Sequence, residues 1–462
     1  MSAFKKILIL IFFTLLIFGC GGEGGGDPHD NNSPDNGSPD NENPDNPSLG
    51  DNALEEIEYI EFSHYVDNDS DVEHDVGMNK DASKVLYSYY SNLKLYAMLY
   101  TNGQWEKPVQ LGDNGHFLYS YRTHSLIMND EGHAGLIHWA ENRIGTPNTF
   151  ALSYFNGDQW VYTAEIPGTP SLNMKNDILC RIDAKGIIYI TSWDDDFGNY
   201  NVEFTVYRFD ATGMLDSQTF SHSSTIPNSM IGSIFPKAMG INENQEVMLI
   251  YYYIESNGVY PGFTAIFNGT DWTISQNWVP HYHYYDNVLG YLHFNTDGSA
   301  SLLTGEESST GRPNREILYE QYIDGQWSIV ESGVNIAGED TTLVRSTAFN
   351  MLGEDLMVLR LDNGLYADFY RDNGVENSFL FDKPWSPSLF YHSKGAYMAF
   401  FWDNGGRNTP MISYFHNSEW SRPAQIKTTY RQASFYMNKH GAAVIGNNYS
   451  MSICRFNDKL LD

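Results

Sequence analysis

Apolar and polar positions along this chain fall into short runs broken by turn residues. "SLIMNDEGHAGLIHW" at 125–139 is the plainest case: an apolar run meets Asn129, Asp130 and Gly132, then resumes as a second apolar run. Two strands joined by a tight turn carry this pattern, because Asn and Gly supply the backbone conformations that a hairpin needs. A second phrase follows at a variable distance: "LYTNGQW" at 99, "YFNGDQW" at 154, "IFNGTDW" at 266 and "QYIDGQW" at 321. The unit therefore predicts strand, tight turn, strand, variable loop, strand, tight turn with Trp, strand.

The first hairpin recurs from residues 77, 127, 181, 240, 294, 349, 391 and 437, about 42 to 59 residues apart, the range of four-stranded propeller blades. The second hairpin carries Trp105, Trp160, Trp272, Trp327 and Trp420; the third and sixth units lack the Trp. Each Trp is expected to pack between neighbouring blades, since aromatic residues repeated at fixed offsets in such arrays serve as core. The eighth unit stops one strand short, and "EEIEYIEFSHY" at 55–65 precedes the first full unit with suitable alternation. The expected fold is all-β: a single closed β-propeller of about eight four-stranded blades, its ring closed by the N-terminal strand, with seven blades as the alternative if the sixth unit is irregular.

Composition agrees with strands and narrows the partners. The chain has 462 residues, with 32 Tyr, 26 Phe, 10 Trp and 40 Gly, a bias toward β-structure. Its 58 acidic and 27 basic side chains give a formal charge of −31, which argues against nucleic acid as a partner because a polyanion would be repelled.

The N-terminus has a different character. "MSAFKKILILIFFTLLIFGC" places Lys5 and Lys6 before an apolar run from Ile7 to Phe18, too short for an ordinary spanning helix and suited to an export signal. Ile17, Phe18, Gly19 and Cys20 resemble the lipobox of bacterial lipoproteins. That resemblance implies a signal peptide over 1–19, lipidation of Cys20 and a place in the bacterial cell envelope, anchored to the membrane through the lipid, with Gly21 after the cysteine compatible with the outer membrane. Residues 20–54 then comprise the lipidated cysteine and a Gly-, Pro-, Asn- and Asp-rich run, "SPDNGSPDNENPDNPSLGDN" within it, which has too little to bury to offset its ordering entropy and reads as a disordered tether. The propeller domain spans 55–462. Cys180 and Cys454 lie in widely separated units and read as buried apolar residues without thiol or metal chemistry.

Four-stranded blades collect the loops joining second to third strands on one face. Seven residues beyond the turn glycine, one register brings Trp139, Trp193, Tyr252, Gly305, Arg360 and Trp402 toward that face, with Tyr89 and Asn448 in the outer units. The loops that follow add Glu141, Arg143, Asp194, Asp403 and Arg407, among other charges. Aromatic rings beside carboxylates and guanidinium groups are what a sugar site needs, since pyranose C–H faces stack on rings while hydroxyls take polar partners. The candidate ligand-binding residues are therefore Trp139, Glu141, Arg143, Trp193, Asp194, Tyr252, Arg360, Trp402, Asp403 and Arg407, set against the plainer reading of strand-end packing residues and solvated loop charges.

The repeat also resembles the sialidase-like propellers, whose Asp-box turn lies between third and fourth strands. "NGQW", "NGDQW" and "DGQW" keep the Gly and Trp of that box and lack its Ser or Thr and Asp. The resemblance implies an arginine grip on a sugar carboxylate, for which Arg122, Arg345 and Arg431 are the weak candidates; two catalytic carboxylates at a defined separation cannot be read across blades. Asp67, Asp69 and Asp71 have the alternate spacing of a calcium loop, although Val72 and Met78 stand where an EF-hand needs Gly and Glu. No cofactor is expected apart from calcium at that acidic turn. The sequence thus favours a non-catalytic binding module for a glycan or a cell-surface protein. The alternatives are a sialidase-like glycoside hydrolase and a structural scaffold subunit of an envelope complex.

Overall fold

In the computed structural model the described residues are 54–61 and, between 74 and 456, the strands with their shorter turns. Residues 1–53, 62–73 and 457–462 lie outside them, as do the longer connections, and within 344–403 only the backbone is described. The chain divides into Met1–Asp45 and Asn46–Asp462, and all strands below belong to the second unit.

Among the described residues, eight antiparallel sheets follow one another along the sequence. Blade 1 holds β2 (His74–Met78), β3 (Lys84–Ser91), β4 (Lys94–Thr101), β5 (Gln104–Trp105) and β6 (Val109–Asp113). Blade 2 holds β7 (His124–Met128), β8 (Ala134–Trp139), β9 (Phe150–Phe155) and β10 (Trp160–Ile166). Blade 3 runs from β11 (Leu179–Ile182) through β12 (Ile188–Asp196) and β13 (Asn201–Asp210) to β14 (Gly213–Ser223). Blade 4 runs from β15 (Ile234–Ile241) through β16 (Val247–Tyr253) and β17 (Gly262–Phe267) to β18 (Trp272–Trp278). Blade 5 has β19 (Tyr291–Phe294), β20 (Ala300–Glu307), β21 (Arg315–Ile323) and β22 (Gln326–Ser332). The sixth unit, despite its missing Trp, is a regular four-stranded sheet spanning β23 (Val344–Phe349) to β26 (Gly374–Phe381). Blade 7 spans β27 (Pro384–His392) to β31 (Ala424–Gln425).

Blade 8 takes β32 (Ser434–Met437), β33 (Ala442–Asn447) and β34 (Ser450–Phe456) from the C-terminal end and β1 (Leu54–Glu61) from the N-terminal end. β1 pairs antiparallel with β34, Leu54 opposite Phe456 and Glu61 opposite Ser450. The expected contribution of the N-terminal strand to the last blade is present, and it covers what would otherwise be an open third-strand edge.

Successive sheets pack face to face, which places the core between blades. Tyr189, Phe204, Val206 and Phe220 of blade 3 meet Met239, Val247, Leu249, Tyr251 and Phe263 of blade 4. On the other face of β16, Met248, Ile250 and Tyr252 meet Leu292, Phe294, Ala300 and Leu302 of blade 5. A strand buried on both faces needs apolar residues at every position, so "VMLIYYY" reads as a continuous run. The outermost β10 has one wet side, and there burial alternates along "WVYTAEI". Blade 8 packs on blade 1 in the same way, with Val444, Met451 and Ile453 against Val85 and Tyr87.

The repeated phrase at the second hairpin is a cross-strand aromatic pair. Tyr100–Trp105, Phe155–Trp160, Phe267–Trp272, Tyr322–Trp327 and Phe415–Trp420 each face one another across the turn. Their ring centroids lie 5.2 to 5.5 Å apart, the tilted contact that aromatic pairs prefer. The indoles also reach across blades. Trp272 lies 4.6 Å from Phe220 of blade 3, and Trp327 donates its Nε1–H to Thr264 Oγ1 of blade 4 at 2.7 Å. In blade 3 the same offset brings Met214 opposite Phe209; the exchange leaves Met214 half-exposed.

Candidate functional site

The strand order gives the molecule two unlike faces. First-to-second and third-to-fourth strand turns lie on one, here termed the turn face; second-to-third connections and the links between blades lie on the other, the loop face.

The turn face carries a repeated polar device. Asn129 Oδ1 accepts the backbone N–H of Glu131 and His133, while its Nδ2 donates to the Asp183 carbonyl of blade 3 at 2.8 Å. Asn438 caps its own turn and donates to the Asn79 carbonyl of blade 1 at 2.8 Å. Asn242 does the same toward the Asn295 carbonyl of blade 5 at 3.1 Å. Blade 1 reaches blade 2 through the Lys80 backbone N–H to the Asp130 carbonyl at 3.0 Å. Where blade 3 has Asp183, a carboxylate cannot donate; instead Gln245 Nε2 of blade 4 donates to Asp183 Oδ2 at 2.6 Å. These residues were legible only as turn formers, and their second role across the blade boundary was missed. The available signal was the recurrence of Asn or Asp, rather than any turn residue, at the first turn position.

On the loop face, Trp139, Trp193 and Tyr252 share one register position in blades 2, 3 and 4, each five residues beyond the first paired residue of its strand (Ala134, Ile188 and Val247). Gly305 takes that position in blade 5, after Ala300. Tyr252 is buried at 8% exposure, packed in the cluster between blades 4 and 5 and 6.5 Å from Trp278. It is a core residue, which corrects its expected role in ligand contact: the second strand is buried on both faces, so its last apolar residues are consumed by neighbouring blades.

Two members of the proposed register shift. Met78 pairs with Val85 and Phe349 with Leu356, one residue further apart than Met128 with Ala134. A one-residue difference moves a side chain to the opposite face of its strand. In blade 1, Tyr89 accordingly packs toward blade 8, and Tyr90 packs in the cluster shared with blade 2. Stacked 5.6 Å from Tyr96, Tyr89 has its phenol pushed up to about 12 by burial. In blade 6, Leu361 rather than Arg360 holds the register position of Trp139.

The backbone places Asp194 on β12 beside Trp193, Trp402 and Asp403 at the end of β28 (Gly395–Asp403), and Arg345 on β23. Glu141, Arg143 and Arg407, together with Arg122, Arg431, Asp67, Asp69, Asp71 and Cys20, lie outside the described residues.

Two buried titratable groups, His138 and Glu320, make polar contacts within the core. His138 Nε2 lies 3.0 Å from Ser153 Oγ, which in turn lies 2.8 Å from Thr163 Oγ1. His138 is 2% exposed and Ser153 0%, so a substrate has no route to this Ser–His contact. Glu320, likewise buried, accepts the Trp278 indole N–H at 3.1 Å across blades 5 and 4. Burial pushes the Cys180 thiol up, away from the reactive thiolate, and both Cys180 and Cys454 are free and buried. Among the described residues no group of three His, Cys, Asp or Glu could hold a metal ion.

No family model matches the chain, and no curated protein matches it in sequence. Solved structures resemble it in fold. The Dos1 propeller has 9% identity and a TM-score of 0.44, covering 87% of this chain and 95% of that one. The WD40 domain of SCAP from fission yeast has 7% identity and a TM-score of 0.45, covering 87% and 98%. The polysaccharide lyase Uly1 has 10% identity and a TM-score of 0.43, covering 74% and 89%.

Proposed function

We propose that the chain is a non-catalytic binding module of the bacterial cell envelope, held at the outer membrane by lipid on Cys20, that engages a glycan through its loop face. Trp139, Trp193 and Trp402 would supply rings, with Asp194, Asp403, Glu141, Arg143 and Arg407 as polar partners. The observation that carries this reading is the difference between the faces. On the turn face the first-to-second strand turns are five residues long and the third-to-fourth strand turns two to four residues long in blades 1 to 5, and the former are tied across blades by backbone and amide hydrogen bonds. Those on the loop face reach ten residues at 140–149 and carry the chain's mixed charge and strand-end Trp. Long, charged connections on a rigid scaffold are where propeller-like folds place recognition.

The test is a glycan array probed with the mature chain, with and without calcium, beside a Trp139→Ala, Trp402→Ala double variant and a Glu141→Ala, Arg143→Ala, Arg407→Ala triple variant. Specific binding lost in variants that keep the parent's circular dichroism supports the reading. A blank array from folded protein removes the glycan and leaves a protein partner, sought by cross-linking on intact cells.

A further inference from the structure

The third-to-fourth strand turns of blades 1, 2 and 4 each contain an Asn–Gly step, at 102–103, 156–157 and 268–269. This dipeptide is chemically unstable, because glycine has no side chain to shield its amide nitrogen from the carboxamide before it. The fold decides how freely each step can react. Asn156 Oδ1 accepts the backbone N–H of Asp158 and of Gln159, both at 3.0 Å. Asn268 Oδ1 accepts the backbone N–H of Thr270 at 3.0 Å and of Asp271 at 2.9 Å, and the Thr270 hydroxyl at 2.9 Å. Caps of this kind fix the carboxamide in place. Asn102 is exposed, and its side chain makes no hydrogen bond among the described residues. Its turn closes through the backbone instead: Thr101 pairs with Gln104 while Asn102 and Gly103 take φ of 52° and 76°, the two left-handed residues of a type I′ hairpin. A Cβ at Gly103 would meet nothing within 4 Å, so no neighbour crowds the step.

We propose that Asn102 is a site of spontaneous covalent modification, converting to aspartate and isoaspartate through a succinimide, while the caps on Asn156 and Asn268 hold those steps back. The Gly103 nitrogen forms a bond to Asn102 Cγ, the Cγ–Nδ2 bond breaks, and Nδ2 leaves as ammonia with the proton that the Gly103 nitrogen gives up. Water then opens the ring, at Cγ to give aspartate or at the backbone carbonyl to give isoaspartate. Either product places a new carboxylate in the turn that precedes the Tyr100–Trp105 pair. The aspartate fits this turn as it stands, since blade 5 builds the same two-residue turn from Asp324 and Gly325 at φ of 51° and 82°. The isoaspartate lengthens the main chain by one carbon, and it is the product that disturbs the hairpin.

Peptide mapping by mass spectrometry follows each step separately in the full chain, held folded at mildly alkaline pH. The same chain unfolded in urea supplies the rate that each dipeptide has without the fold. The ratio of folded to unfolded rate at Asn102 should exceed the ratios at Asn156 and Asn268 by about tenfold, because their carboxamides must first release two and three hydrogen bonds. Asn268 is exposed, as Asn102 is, so this pair separates bonding from burial. Equal ratios at Asn102 and Asn268, or a lower one at Asn102, overturn the proposal.

Discussion

The two faces of the propeller differ in how much of their chemistry is spent on the molecule itself. On the turn face, Asn129, Asn242 and Asn438 each cap a hairpin with the carbonyl oxygen and bind the next blade with the amide, so one side chain satisfies groups in two sheets. On the loop face, Tyr90 and Tyr252 of the second strands are likewise consumed by packing, while the longer connections and the Trp of blades 2, 3 and 7 are what the proposed reading leaves for a partner. The difference teaches that the first turns spend their polar groups between blades, whereas on the loop face the register position of a ring does not by itself decide whether it is packed or available.

The contrast can be broken most strongly at the core that both faces share. Trp272→Ala removes an indole packed on Phe220 and Phe267, and should cost about 3–5 kcal/mol in denaturant unfolding. A loss below about 1 kcal/mol would mean that blades 3 and 4 do not depend on this contact. Next, Asn129→Ala should cost about 1–3 kcal/mol by leaving the His133 N–H without its cap and the Asp183 carbonyl without its donor. Asn129→Asp, which keeps the cap and loses the amide, should recover part of that stability; equal losses in the two variants would assign the whole effect to the turn.

A smaller effect should appear with pH. Arg208 donates Nε–H to Asp216 Oδ1 at 2.6 Å, and this hydrogen bond holds the Asp216 carboxyl below its ordinary value of 3.8. Because the folded value is the lower one, the contribution is present above the unfolded value and is lost as pH falls through the folded one. Asp216→Asn should therefore flatten the acid limb of the stability profile, measured by thermal unfolding from neutral pH down to about pH 3. Smallest of all, Glu141→Ala with Arg143→Ala on the loop face should change unfolding by no more than about 0.5 kcal/mol. A larger change would show that the long connection of blade 2 is itself part of the scaffold.

Much of the fold was legible in the sequence because its period is written in residues with narrow physical uses. Gly132, Gly186 and Gly298 hold left-handed backbone at their turns, and the Trp phrase marks a cross-strand pair at a fixed offset. Counting from the turn glycine failed where the turn was differently built. Blade 1 has Ala82 in the left-handed region and one residue more between its first cross-strand pair, Met78 and Val85, so Tyr89 and Tyr90 exchange faces. Arg360 was misplaced by the same difference in blade 6. The burial of Tyr252 was not legible either: alternation along one strand tells which residues share a face but not that a neighbouring blade covers both. The inter-blade amides needed the ring itself, since Asn129 and Asp183 are 54 residues apart along the chain.

The turn-face bonds have a common sense of direction. Asn438 to blade 1, Lys80 to blade 2, Asn129 to blade 3 and Asn242 to blade 5 all give a proton forward to the following blade. Blades 1 and 2 therefore each show a carbonyl to the predecessor and an N–H to the successor, like identical plugs and sockets. A copied blade could be spliced between two others without redesigning either neighbour, provided that it entered whole and in the same orientation. Asp183, which can only receive, breaks this pattern: its neighbour Gln245 has to reach backward, so a copy of blade 3 placed elsewhere would need a matching Gln in the blade after it.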